Sequence, residues 1–526
     1  MSVAQTDWRT RRRSFKGAAT MSAMAILGAI TMPGSLPADR PATGRNAIQK
    51  ENAREGATDW QLTRVRVDKP DGCRCPAIEG YCSKQSVAAG DKLQIMVSTE
   101  PAAKFRIEIF RTGWYAGRGA RRMTVLGPLE GKPQPTPKPD ARTMHECRWE
   151  PSAELNIPAD WPSGVYLGRL TTLPAAADLP YWQSYVIFIV RDQRRADVLF
   201  QCSDNTWQAY NQWPERHSLY TDPRGAHARD VAVSFDRPYG RMPQYTGIVN
   251  DPLSVGSGEF LCFEQPFSYF LEEHGYDVTY CCNVDCMDTA QITRCKSFLS
   301  IGHDEYWDLP QFNATKAAIE EGVNVLWFSG NSVFAVSKFS KSADGRPNRI
   351  ITRIGHFAGL SDEEHARAEK TMTKEWKRVG PDETLIMGAR TVMPANGGGD
   401  WTCVKPDHWI FEGTGMKKGD SIPGLVGWEH HGAPGNLPGL EIVAEGTAWS
   451  GGVTPVRWTA VIFPGPKGNF VFNAATIFWC QDLSMPPGHT LPWSHSSRPH
   501  GPDKRVQKMT HNLLARAIGA DRDAAK

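Results

Sequence analysis

An apolar run that turns polar at its tip constrains this chain more than any other stretch. Ser297 to Ile301 reads as a buried strand, and Gly302-His303-Asp304-Glu305-Tyr306-Trp307 follows it. Next come a helical pattern from Leu309 to Gly322 and a second strand-like run, Val323 to Phe328. Strand, polar tip, helix and strand together make a parallel α/β unit. In open α/β sheets, ligands bind beyond the carboxyl ends of the strands, where this imidazole and these carboxylates fall. Packing alone gives no reason for three polar side chains directly after a buried strand, so the tip is the first candidate for chemistry.

The rest of the chain supplies a setting for that unit. Its 526 residues leave room for roughly two to four domains. Eighteen Trp, 48 Gly and 38 Pro favour a loop-rich, β-containing protein over a helical bundle. With 60 basic against 57 acidic residues, the net charge of +3 exerts no general pull on nucleic acid. Residues 59–190 read as all-β. Lys92 to Ser98, Phe105 to Arg111, Gly164 to Leu170 and Gln183 to Val190 alternate or run apolar between Gly/Pro-rich turns. That spacing predicts an immunoglobulin-like β-sandwich. After a charged linker, Arg191 to Arg195, residues 196–520 read as a doubly wound α/β domain. Ala196 to Cys202 and Tyr276 to Cys281 are strands, and Phe263 to His274 is a helix stopped at Gly275. A β-rich insertion spans about 354–452. Val456 to Phe463 and Gly468 to Phe472 then return as strands, and Lys504 to Ala520 closes the domain as a helix.

Residues 1–38 carry an address. Arg11-Arg12-Arg13-Ser14-Phe15-Lys16 precedes a mildly apolar stretch, Ala18 to Met32, which resembles a twin-arginine export signal. Residues 39–58 read as a linker. The expectation is an exported protein, periplasmic or secreted, with no stable membrane span after export. All twelve cysteines lie beyond that signal, and none has the paired CxxC spacing of a metal cluster. Cys73-Arg74-Cys75 and the vicinal Cys281-Cys282 therefore read as disulfide partners or as ordinary buried thiols.

The strand Ala196 to Cys202 runs into Thr206-Trp207-Gln208-Ala209-Tyr210-Asn211, followed by Ser218-Leu219-Tyr220. By the strand-end argument these residues approach the mouth that holds His303 and Glu305. Taken singly, each tyrosine reads as structural. Together with Gly302-His303-Asp304-Glu305-Tyr306-Trp307, Ser329-Gly330-Asn331, Gly427-Trp428-Glu429 and Gly468-Asn469-Phe470-Val471-Phe472-Asn473-Ala474, the ordered set resembles the N,N-dimethylformamidase large (beta) subunit family. The likeness runs over most of residues 75–520.

That resemblance implies a mononuclear ferric ion, Fe(III), held by Tyr210, Tyr220 and Glu305, with Tyr239 in reserve for one tyrosine position. It implies that His303 moves protons and that Glu429 is the second carboxylate, with Glu441 as the alternative. Oxygen-only ligation suits a hard cation, and a phenol of pKa about 10 needs one to ionise near neutrality. Asn211, Asp304 and Asn331 are expected near the substrate. The implied reaction is hydrolysis of the C–N bond of a small amide. The implied partner is a small subunit, and a homo-oligomer is left open. The chain departs from the better-known amidases at Asp304, where they carry Pro, and after Tyr220, which continues Thr221-Asp222-Pro223-Arg224. These departures fall on the substrate pocket, so the resemblance leaves open whether dimethylformamide or another small amide is the substrate.

A competing reading is a non-catalytic secreted protein that binds a carbohydrate or another ligand, which abundant Trp would suit. The α/β domain also resembles the glutamine-amidotransferase-like fold, yet its strand-to-helix elbow has no nucleophilic Cys or Ser. No HExxH zinc motif occurs either.

Overall fold

Alternation at period two builds the first layer. Phe105, Ile107 and Ile109 share one face of the strand Lys104–Thr112. They meet Leu93, Ile95 and Val97 from the strand Lys92–Ser98 in a common apolar core. The first of these strands lies in a five-stranded sheet ordered Ser86–Val87, Gln183–Val190, Gly164–Thr172, Lys104–Thr112, Ala120–Glu130. The second is the middle of a three-stranded sheet with Glu79–Cys82 and Ala153–Asn156. The computed structural model describes residues 44–69, 72–176, 178–225, 228–241, 252–357, 378–391, 397–450, 454–489 and 501–519. The export-signal segment 1–38 lies outside them, as do the start of the 39–58 linker and parts of 354–452. Residues 45–526 form one compact unit.

A nine-stranded sheet forms the centre, ordered Val278–Cys282, Val198–Cys202, Ser297–His303, Asn324–Gly330, Phe470–Asn473, Thr454–Pro464, Glu441–Ser450, Gly397–Thr402, Ser421–Val426. Its first five strands are parallel and the rest antiparallel. The last three, from the segment read as a β-rich insertion, thus hydrogen-bond directly into the central sheet. The protein is a mixed, sheet-rich α/β fold with few helices.

Successive side chains on the parallel strands face opposite cores. Leu326 and Phe328 meet Phe267, Phe270 and Leu271 of the helix Gln265–Glu273 and Leu513 and Leu514 of the helix Lys504–Ile518. Val325 and Trp327 meet Phe312 and Ala318 of the helix Leu309–Glu321. Burial of each large apolar side chain stabilises by about 1.5–3 kcal/mol. Leu514→Ala would cost about 2–5 kcal/mol, because a cavity adds to the lost transfer energy. The helix Leu309–Glu321 begins where Asp308 accepts a hydrogen bond from the Gln311 amide (2.8 Å), and it stops at Gly322, whose φ of 103° suits glycine. Among the described residues, no helix is long and apolar enough to cross a membrane.

The cysteines resolve in favour of buried thiols: all twelve are buried and unbridged. Cys281 and Cys282 are consecutive on a strand, so their side chains enter different cores and cannot meet. Cys281 instead lies 3.4 Å, Sγ to Sγ, from Cys286. Burial pushes the Cys286 and Cys295 thiols up to about 11, which makes them poor nucleophiles.

Candidate active site

The chain changes sheets at the polar tip. The strand Ser297–His303 belongs to the central sheet. Tyr306–Asp308 pairs in parallel with Ala335–Ser340 in a separate four-stranded sheet that also contains Val231–Ser234 and Ile350–His356. Asp304 and Glu305 are the two-residue seam between the sheets. Gly302, with φ of 66°, makes the bend possible, since a β-carbon there would lie 2.8 Å from the Phe263 carbonyl oxygen. The seam is tied on both sides. The Glu305 amide donates to Thr206 Oγ1 (3.0 Å), and the Glu305 carbonyl accepts from the amides of Phe334 and Ala335 (3.0 Å each). The Glu305 carboxylate has little freedom to turn away.

Both expected tyrosines reach it. Tyr210 ends the helix Asp204–Tyr210, and Tyr220 follows a loop whose Leu219 amide donates to the Ala209 carbonyl (2.9 Å). Their rings stack at 4.6 Å. Tyr210 Oη lies 2.7 Å from Glu305 Oε2 and 3.0 Å from Tyr220 Oη, and Tyr220 Oη donates to Glu305 Oε1 at 2.6 Å.

His303 and Glu429 complete the cluster. His303 Nε2 is 2.6 Å from Glu429 Oε2 and 3.4 Å from Glu305 Oε2. Glu429 arrives from the loop after Ser421–Val426. Its carbonyl accepts from the Ile477 amide (3.2 Å), and Gly330 must lack a side chain because a β-carbon would lie 2.2 Å from that carbonyl. Glu259 approaches the other imidazole nitrogen, with Oε2 3.4 Å from His303 Nδ1. It was not foreseen; the sequence marks it only by the turn Gly256-Ser257-Gly258 before it.

Charge is crowded here. His303, Glu305 and Glu429 are 1%, 2% and 6% exposed, and Glu259 is fully buried. Burial by itself would lower the imidazole pKa, but Glu429, with Glu259 and Glu305, raises it well above its ordinary value. Burial raises Glu429, and His303 offsets only part of that effect. For Glu305 burial also acts upward, but hydrogen bonding and charge from His303, then the two phenols, hold it below the usual carboxylate range. Burial, followed by the Glu305 charge, pushes the Tyr220 phenol far up. Three carboxylates share one imidazole, so acidic groups outnumber the basic one at this point. Ligand atoms of His303, Glu305 and Glu429 lie within 4.8 Å of one another, a group that could hold a metal ion. With two phenol oxygens on Glu305, the donor set is hard and oxygen-rich. These residues fit a hard cation.

The other expected residues separate. Tyr239 packs edge-on against Trp207 at 6.3 Å and lines a small cavity with Asp204 and Arg237. Glu441 forms an ion pair with Lys405. Neither joins the cluster. Asp304 accepts from Gln201 Nε2 (2.7 Å), Ser300 Oγ (2.8 Å) and Asn283 Nδ2 (3.2 Å), so its carboxylate anchors the seam. Asn211 pins its own loop, donating to Gln208 Oε1 and the Pro238 carbonyl and accepting from the amides of Trp213 and Gly240. Asn331 is buried at φ of 52°, and its Oδ1 has no hydrogen-bond partner among the described residues.

The whole cluster lies inside residues 106–492, which match the family model of the N,N-dimethylformamidase beta subunit-like C-terminal domain. This chain belongs to that family. A dimethylformamidase-like chain is thereby set among hydrolase relatives, and the beta-subunit likeness brings with it the prospect of a partner subunit. No curated protein matches it. Among solved structures, a family 123 glycoside hydrolase from Clostridium perfringens aligns with 24% of this dimethylformamidase-like chain and 27% of its own length. The identity is 10% and the TM-score 0.10, a likeness that carries no argument.

Proposed function

We propose that this chain is an exported, iron-dependent amidohydrolase that cleaves the C–N bond of a small amide. The observation that carries the proposal is the meeting of Tyr210 and Tyr220 on the two oxygens of Glu305, with the His303–Glu429 pair alongside. Tyr210, Tyr220 and Glu305 would hold the ferric ion, which supplies a Lewis acid for an amide carbonyl. The His303–Glu429 pair, 2.6 Å apart, shares a proton, which it delivers to the departing nitrogen and regains from the attacking water. The C–N bond breaks, the amine leaves and a carboxylate forms. Glu429 compensates the imidazolium while it carries that proton. Asn331 supplies a buried acceptor for an amide N–H. The two N-terminal sheets are read as an immunoglobulin-like sandwich and the central sheet as amidotransferase-like. A non-catalytic ligand-binding role gives no reason to bury three carboxylates around one imidazole.

Metal analysis with a visible spectrum of the purified protein tests this reading, followed by amine release from a panel of small amides. About one iron per chain is expected, with a tyrosinate-to-iron band that weakens in Tyr220→Phe. Colourless protein that takes up no ferric iron and releases no amine would overturn it.

A further inference from the structure

Arg353 lies on the strand Ile350–His356, which pairs with Val231–Ser234, and it is buried. Its guanidinium carbon is 5.3 Å from the centre of the Tyr220 ring. Nη2 donates to the carbonyls of Leu219 (3.0 Å) and Ala228 (2.9 Å), the residue just before Tyr220 and one farther along the same loop. Nη1 donates to Tyr306 Oη (3.3 Å), and the Tyr306 ring stands edge-on to both Tyr210 and Tyr220 at 6.5 and 6.4 Å. One planar fork therefore holds the Tyr220 loop at two points, together with the ring that walls the tyrosine pair. A neutral amide could satisfy two carbonyls. It could not put a permanent positive charge on the face of an electron-rich ring, and burying such a charge is costly.

We infer that Arg353 is a positioning residue for Tyr220, which clamps its loop and sets a fixed charge against its ring. The inference rests on Tyr220 serving as a metal ligand, as proposed above. A cation on the ring face holds the phenolate electrons more tightly. Its loss should therefore shift a tyrosinate-to-iron band to longer wavelength.

The test compares wild type, Arg353→Met, which removes charge and fork, and Arg353→Lys, which keeps charge without the fork. Hydrogen exchange of residues 219–225 is measured on metal-free protein. Absorption and iron affinity, by competition with a chelator, are measured after addition of ferric iron. Arg353→Met should show faster exchange, a band at longer wavelength and affinity weakened by about 10–100-fold, the usual cost of losing a residue that orients a ligand. Arg353→Lys should show faster exchange with the band near its wild-type position, and it decides the clamp if the Met variant does not fold. Wild-type exchange in a folded variant would overturn the clamp, and a wild-type band in Arg353→Met would overturn the charge effect. Wild-type protein without iron would instead overturn the metal reading, while exchange on metal-free protein still decides the clamp.

Discussion

Two of the places in this molecule that bury carboxylates treat them in opposite ways. Where the helix Gln265–Glu273 meets the N-terminal sheet, Glu272 faces Arg111 in a two-pronged pair at 2.7 and 3.0 Å. Tyr280 Oη and Asn52 Nδ2 donate to the same carboxylate at 2.9 Å. Every charge there has its counterpart within the chain. At the seam, Glu259, Glu305 and Glu429 share one imidazole and two phenols. At the seam the carboxylates outnumber the one basic group they share, and we propose that a cation balances them, which would separate a structural knot from a site of chemistry.

Substitutions should break that contrast unequally. Glu272→Ala leaves the Arg111 guanidinium buried and unpaired, so urea unfolding should show a loss of about 3–5 kcal/mol. The seam should respond in function first. His303→Ala is expected to lower amide hydrolysis by about 10²–10⁴-fold while iron stays bound, as read by turnover and metal content on one sample. If iron leaves together with activity, His303 is a ligand and the proton-transfer role falls. Occupancy gives a further distinction. Ferric iron at about 100 times its dissociation constant should stabilise the wild type by about 2.7 kcal/mol in thermal melts and leave Glu305→Gln unmoved. Equal melting of both proteins with iron would argue against Glu305 as a ligand.

A third carboxyl sharpens the comparison with the smallest expected effect. Glu383 is buried, neither of its oxygens has a hydrogen-bond partner among the described residues, and burial pushes its pKa up to about 8. A carboxyl with a raised folded pKa contributes fully below its unfolded value near 4.5, and that stability is lost as pH rises through about 8. Melting temperature should fall between pH 5 and pH 9, and Glu383→Gln should flatten the fall. An unchanged slope in the variant would show that Glu383 is not the group responsible. Burial is thus met by pairing at Glu272, by protonation at Glu383 and, at the seam, by what we propose is a metal.

Much of the frame was legible because local rules governed it. The helix expected from Leu309 to Gly322 runs Leu309–Glu321 with its glycine stop, and Gln183 to Val190 is a strand as expected. The helix expected over Phe263 to His274 divides into Phe260–Phe263 and Gln265–Glu273, because Glu264 departs from helical geometry. The strand Tyr306–Asp308 was not foreseen. Three residues carry too little periodicity to declare a strand, and its partners lie in Ala335–Ser340.

Local pattern determined by itself that a polar tip follows a buried strand, and the order of motifs offered Tyr210, Tyr220, Glu305, His303 and Glu429 as one set, with Tyr239 and Glu441 as alternatives. Those features depend on neighbours a few residues apart or on a recurring order of blocks. Only the tertiary structure decided that Glu429 rather than Glu441 faces His303, that Tyr239 stands apart, that Asp304 anchors the seam, and that Glu259 and Arg353 stand behind His303 and Tyr220. Each depends on segments tens to more than a hundred residues apart meeting across two sheets. In an interior that must be filled without voids, which side chain meets which is set by how all the layers pack together, and no short stretch of sequence records that.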